Sequence, residues 1–401
     1  MNDALPRLPF RRTNILDIAP SLRSLADQAP ISKIRTLAGD EAWLVTRYQE
    51  VRALLADDRL GWSHPDPERA PRISSAAMFG SAGENYETEK ADNARMRRLL
   101  APAFSPKRVR RLRSHMLADA SQLLDGISRM TPPVDLHKEF SFPLPTLMIC
   151  ELLGVSYADR ERFSDLSAGI GDLYDSARSQ AAMADFCDYI RELIQRKRSS
   201  PGVDIISDLI SASGENGSDE DEIVSYCVNL LFAGHETTVT RIDFGTVLLL
   251  AHPAERAALL ADPSLVHGAI EEILRTAVPS SLGGLPRYAH ADIEVAGVRI
   301  RAGDAVMLSV SAANRDKHAF GDPGRFDIRR EPNPHLAFGH GMHFCLGAAL
   351  ARAQLEVVLP SLFERLPGLR LAVPLDQLEL RTEHLTGGLV TLMVTWGAPS
   401  R

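Results

Sequence analysis

The stretch Phe338-Gly339-His340-Gly341-Met342-His343-Phe344-Cys345-Leu346-Gly347 runs directly into a helical pattern over residues 345–366. It sets a cysteine at the predicted first turn of a helix, behind a loop bearing two glycines. Backbone N–H groups and the positive helix end both favour thiolate over thiol there, lowering a pKa that starts near 8.5. Gly339 and Gly341 let the backbone turn tightly or approach a flat ligand closely, and Gly347 does the same for the first helical turn. Taken alone, Cys345 has two readings: a small buried hydrophobe in a glycine turn, or a thiolate held ready as a metal ligand.

Upstream lies a longer pattern over residues 219–250, about thirty residues without proline. Ser218 reads as its N-cap, and Asp219, Glu220, Asp221 and Glu222 suit the positive dipole end. Near its centre stands Ala233-Gly234-His235-Glu236-Thr237-Thr238. A glycine inside a helix costs about 0.5–1 kcal/mol relative to alanine, so Gly234 has a purpose, namely room over a flat ligand. Thr237 is placed to bond back to the carbonyl of Ala233 or Gly234, or to leave it to water, which bends or widens a helix locally. Glu236 and Thr237 make an adjacent acid and alcohol suited to moving protons. Thr238 and Thr240 read as packing or capping residues, and His235 receives no ligand role.

Two shorter signals lie between these stretches. Glu272-Ile273-Leu274-Arg275 places an acid and a base three apart on one helical face. As a surface pair it is worth only a few tenths of a kcal/mol. Asp322-Pro323-Gly324-Arg325-Phe326 follows downstream.

The 401 residues are 45% hydrophobic and 24% charged, which excludes a disordered chain. A net charge of −7 argues against a general nucleic-acid binder. Cys150, Cys187, Cys227 and Cys345 show no paired spacing, so reduced thiols in a cytoplasm are expected rather than disulfides or a zinc site. No signal peptide and no membrane anchor are expected, since apolar runs such as 247–251 fall far short of the roughly 18 residues a span requires.

Helical patterns at 51–56, 106–125, 158–173, 179–198, 219–250, 263–276 and 345–366 dominate. Short strand-like runs at 42–46, 293–300, 305–309 and 389–395 are scattered rather than alternating with helices. This disfavours a Rossmann or barrel fold and predicts one mainly α domain with minor β over residues 1–401. Residues 63–93 are poorly periodic, and two readings stay open for them: a lid, or a surface excursion.

The ordered set F-G-x-G-x-H-x-C-x-G, A-G-x-E-T-T, E-x-x-R and P-x-R-F resembles the cytochrome P-450 family of haem-thiolate oxygenases, at family-like spacing over nearly the whole chain. The resemblance implies a single cytochrome P-450 domain with haem b held between the long helix and the cysteine loop. It implies Cys345 as axial iron ligand and His343, Arg97 and Arg287 as haem-propionate contacts. Gly339 and Gly234 are implied close to the haem, and Glu236 with Thr237 as the acid–alcohol pair. Asn93 stands where the family often has histidine, and as a neutral amide it still donates a hydrogen bond. Glu272, Arg275 and Arg325 are expected to form a buried structural ion triad.

The implied activity is a monooxygenase that hydroxylates or epoxidises a bulky lipophilic molecule such as a macrolide, polyketide or terpenoid of secondary metabolism. Aryl coupling, peroxygenation and multi-step oxidation on the same fold remain alternatives, as does a haem-thiolate sensor without turnover. Pocket lining is expected from 63–93, 164–188, the middle of the long helix, 280–285 and 383–389, with Glu383 and His384 as polar handles. No second cofactor motif is visible, so electrons from NAD(P)H are expected through a ferredoxin reductase and a ferredoxin. Arg95, Arg97, Arg98, Lys107, Arg108, Arg110, Arg111 and Arg113 form a basic run without intervening acids. By itself such a run means a solvated helix face. With the family's geometry it becomes the expected ferredoxin dock.

Overall fold

The computed structural model describes residues 5–73, 86–170, 176–212, 219–280, 283–381 and 386–397. The chain divides into two compact units, Met1–Asn93 with Ala251–Cys345, and Ala94–Leu250 with Leu346–Arg401.

The first unit is built on a five-stranded sheet in the spatial order Ile31–Arg35, Glu41–Val45, Ala305–Leu308, Leu285–Ala289, Leu60–Gly61. Ala305–Leu308 is buried at every position, as a central strand covered on both faces must be. It runs parallel to Glu41–Val45 and antiparallel to Leu285–Ala289. Leu285–Ala289 carries Pro286 and was not legible as a strand, because proline cannot donate to a ladder. The structure accommodates it because the edge strand Leu60–Gly61 pairs only with Tyr288 and Ala289 and never reaches Pro286. Arg287 therefore lies inside a strand. The run at 293–300 is a two-stranded hairpin, Ile293–Val295 with Val298–Ile300, turned at Ala296 and Gly297.

The second unit is helical. Pro106–Ser128 packs along Ala348–Arg365, and Val109, Leu112 and Met116 share one core with Leu350, Ala353 and Val357. Pro143–Leu153 and Ser176–Ser199 feed the same core through Ile149, Leu152, Phe186 and Tyr189. A three-stranded sheet of Val134–Asp135, Met393–Thr395 and Arg370–Leu371 completes the unit, so only the end of the run at 389–395 is strand. The helix expected over 158–173 is Arg160–Ile170, with 171–175 outside the described residues.

Three expectations need correction. The helix expected from 219 to 250 is two helices, Glu220–Gly234 and Glu236–Ala251, separated at His235 with φ −83° and ψ −76°. Its N-cap is Asp219, whose side chain accepts the Glu222 N–H at 2.7 Å, while Ser218 lies outside the described residues. Of the stretch 63–93, residues 74–85 lie outside the described residues, and the helix Glu89–Leu100 begins within its end.

The third correction concerns the ion triad. Glu272 and Arg275 are wholly buried and joined by two bonds of 2.8 and 2.7 Å. The third member is Arg330, whose Nε lies 3.2 Å from both carboxylate oxygens, and not Arg325. Arg325 points its side chain to solvent and contributes only its carbonyl, which accepts from Arg275 and from Arg330. Asn333 and the Asp327 N–H also donate to Glu272. Removing one partner of a buried pair strands the other charge without water, at about 3–5 kcal/mol. Glu272→Gln and Arg330→Ala are each expected to cost about 3 kcal/mol or more by urea titration. Arg325→Ala is expected to stay within about 0.5 kcal/mol of the parent, as an exposed side chain should.

Candidate haem-binding and oxygen-activating residues

In the first unit the cysteine loop is a tight backbone construction. The Cys345 N–H donates to the Phe338 carbonyl at 2.8 Å, closing a loop whose only regular piece is the 3₁₀ turn Gly341–His343. Gly339 and Gly341 both have positive φ, +73° and +72°. At Gly341 a Cβ would lie 2.6 Å from Ala56 Cα and 2.9 Å from Leu55 O, so only glycine fits against that backbone. Cys345 is exposed and precedes the helix. Ala348–Arg365 starts three residues later with Gly347 as its N-cap, which corrects the placement of the cysteine in the first turn. Asn93 donates from its amide to the Met342 carbonyl at 3.4 Å, so it touches this loop through a neutral bond.

Arg287 is only 4% exposed, and burial lowers its pKa to about 10. Its guanidinium donates to the Pro286 carbonyl at 2.7 Å and lies 3.6 Å from the Trp62 ring centroid. Among the described residues no carboxylate comes within ion-pair distance of it. Trp62 also stands edge-on to His343, with ring centroids 6.2 Å apart. The structure thus brings Arg287 and His343 together through Trp62, a residue that sequence reading passed over. Its rarity was the available signal, since the chain has three tryptophans and this one sits in a polar stretch. Glu89 fixes that stretch by accepting the N–H groups of Trp62 and Ser63 at 2.8 and 2.9 Å and the Ser63 hydroxyl. Burial works against its charge, yet these bonds and nearby His290 hold its carboxyl below the usual range.

In the second unit the helix break carries Gly234, Glu236 and Thr237. A Cβ at Gly234 would approach Ile149 Cδ1 to 2.7 Å, so the glycine admits a close neighbour. The Thr237 and Thr238 hydroxyls donate to the carbonyls of Ala233 and Gly234 at 2.7 and 2.9 Å. His235 is buried, bonds through Nε2 to the Phe142 carbonyl at 3.1 Å, and is held below its ordinary pKa by desolvation. It therefore ties the break to the Phe142 carbonyl. The Glu236 carboxylate accepts the Thr386 hydroxyl at 2.6 Å, a partner no motif announced. Arg97 lies half-buried on Glu89–Leu100. Glu383 and His384 lie outside the described residues, as do residues 171–175 and 281–282 of the expected pocket lining.

The basic run is smaller in effect than its sequence suggests. Arg95 pairs with Glu222 at 2.7 Å, Arg108 with Asp208, and Arg113 with Glu356 at 3.4 Å. Arg98, Lys107, Arg110 and Arg111 remain exposed, and among the described residues none of them forms an ion pair.

Residues 172–386 match the family Cytochrome P450, and the chain belongs to that family. It is a monooxygenase with haem b as cofactor, on a mainly α fold with small sheets. It is similar to pentalenolactone synthase of Streptomyces exfoliatus, 47% identical over 99% of this chain and 100% of that protein. The mycinamicin IV hydroxylase/epoxidase of Micromonospora griseorubida is 38% identical over 99% of this chain and 100% of its own length. Among solved structures, a substrate-free pimaricin epoxidase superposes with a TM-score of 0.89 at 41% identity, covering 99% of this chain and 100% of that one.

The residues present fit a haem. A buried guanidinium with no carboxylate at ion-pair distance among the described residues calls for an anion, which a propionate provides, and the exposed Cys345 carries a sulfur donor of the right softness. The other thiols are unsuitable. Burial pushes Cys150 up to about 12 and Cys227 higher still, and it raises Cys187 as well. In the haem-free protein, iodoacetamide at mildly alkaline pH should therefore alkylate the exposed Cys345 first and Cys187 more slowly, and haem should protect Cys345. Cys150 and Cys227 should react only on unfolding. Peptide mass mapping reads the order, and early labelling of Cys227 would contradict the burial described.

Proposed function

We propose that residues 1–401 work as one haem-binding domain that inserts an oxygen atom into a C–H or C=C bond of a bulky, mostly apolar natural product. Haem b supplies the oxygen-activating chemistry when bound. Cys345 would hold the haem iron through its thiolate, and the observation that supports this reading is its loop. The Phe338 carbonyl and the positive-φ glycines hold the thiol outward on a fixed backbone. Arg287 and His343, with Arg97, are proposed to neutralise the propionates, and the buried charge of Arg287, with no carboxylate at ion-pair distance among the described residues, supports this. Gly339 and Gly234 are proposed to border the haem.

Thr237 and Glu236 are proposed to hold and pass protons at Thr237 Oγ1 and the Glu236 carboxylate. Their adjacency at the helix break supports this, with the Thr237 hydroxyl on the Ala233 carbonyl and the Glu236 carboxylate on the Thr386 hydroxyl. The substrate class follows from relatives whose names specify pimaricin epoxidation, mycinamicin IV hydroxylation/epoxidation and pentalenolactone synthesis. By analogy with these natural-product enzymes, a bulky lipophilic molecule such as a macrolide, polyketide or terpenoid is proposed here.

The reduced, carbon-monoxide-bound protein is expected to show the red-shifted Soret band of thiolate ligation, and Cys345→His to lose it. Thr237→Ala should retain the band while losing at least about tenfold in product per NAD(P)H consumed, the scale of a displaced proton donor. A normal band in Cys345→His overturns the ligand assignment.

Electrons are proposed to come from a ferredoxin served by a ferredoxin reductase, in a cytoplasm where the four cysteines, none of them in a disulfide, stay reduced. Among the described residues no helix is long and apolar enough to cross a membrane. The docking face is proposed to be the exposed set Arg98, Lys107, Arg110 and Arg111. Arg110→Glu with Arg111→Glu should slow first-electron transfer from an acidic ferredoxin at low salt, with the difference shrinking as salt rises. Equal reduction rates at low salt would remove these residues from the interface.

A further inference from the structure

Glu236 does not stand alone at the helix break. Its carboxylate accepts the Thr386 hydroxyl at 2.6 Å, and Thr386 belongs to a C-terminal arm folded back on the same helix. Its described residues are joined by the antiparallel bridge between Leu380 and Leu389 and by the bond from Arg381 N to Gly388 O. Gly388 has φ +104°, and a Cβ there would lie 2.8 Å from Thr240 Cγ2, so the arm rests one helical turn beyond Glu236.

A second polar contact clamps the arm two turns along. Arg381 donates to His137 Nε2 at 2.8 Å, and His137 Nδ1 lies 2.6 Å from Asp243 Oδ2. A guanidinium has only donors, so Nε2 must accept, which places the ring proton on Nδ1 and directs it to Asp243. Asp243 is wholly buried and His137 nearly so. The series guanidinium, neutral imidazole, carboxylate therefore has one proton arrangement and one geometry. The Asp135 carboxylate, which accepts from the N–H groups of His137 and Leu392, ties the same parts together.

We infer that Thr386, held in register by the Arg381–His137–Asp243 clamp, positions the Glu236 carboxylate for proton transfer. This rests on the proposal that Glu236 passes protons. Without the hydroxyl, the carboxylate loses a bond that holds it toward the arm. Nothing in the acid–alcohol motif specifies that orientation. Thr386 and Arg381 act through Glu236 and are positioning residues.

The test compares Thr386→Val, Thr386→Ser, Arg381→Gln and Glu236→Gln in the holoenzyme with its electron donors. Thr386→Val is expected to lower kcat about tenfold and raise the hydrogen peroxide formed per NAD(P)H, with KM within about twofold. Thr386→Ser, which keeps the donor, should restore coupling. Arg381→Gln should shift both quantities in the same direction to a smaller degree. Crystal structures of the Val and Ser variants should show the Glu236 side chain turned away in the first and returned in the second. If Glu236→Gln uncouples turnover while Thr386→Val does not, the positioning role is wrong and proton passage through Glu236 stands. If Glu236→Gln stays coupled, proton passage fails and the inference falls with it.

Discussion

Glu272 is a carboxylate sealed from water, and the irregular chain leading to Cys345 is organised around its charge. That chain carries little helix or strand, so its carbonyls cannot be satisfied by a ladder and must find other donors. Arg275 takes the carbonyls of Asn314, Pro323 and Arg325, and Arg330 takes those of Gly321, Asp322 and Arg325. A buried guanidinium and a largely buried one could not be kept there without an anion between them. Glu272 is that anion, and through it a helix of the first unit fixes the path of a segment with almost no regular structure.

The second unit uses the same physics with neutral groups. Where the long helix is interrupted, two threonine hydroxyls return to the carbonyls of Ala233 and Gly234, and a histidine ring reaches the Phe142 carbonyl. In both units the family motifs coincide with departures from regular backbone, and side chains make the bonds that the backbone does not. Ordinary helices such as Pro106–Ser128 need no such devices and carry none of the motifs beyond part of the basic run.

How far the sequence could be read depended on how local each cause was. The apolar periodicity at 106–125 translated into Pro106–Ser128 almost unchanged, and the alternation at 305–309 into Ala305–Leu308. The periodicity at 219–250 was equally clear but concealed the break, because the apolar rhythm continues through His235 while the kink depends on a carbonyl far away in the chain. Arg325 was the natural third member of the triad, since the motif contains it. Arg330 took the place because the turn around Asp322, with φ +45°, leaves Arg325 facing solvent. Trp62 and Thr386 belong to no motif at all.

The order and spacing of Cys345, the glycines before it, Glu236–Thr237 and Glu272–Arg275 were enough to carry the resemblance to the cytochrome P-450 family, and with it the class of chemistry. Tertiary structure alone decided which partners make that set work: Arg330 against Glu272, Trp62 over Arg287, and Thr386 with the Arg381–His137–Asp243 clamp beside Glu236. Each of these joins segments remote in the chain through burial and hydrogen bonding. Such contacts leave no period, spacing or composition in the linear sequence.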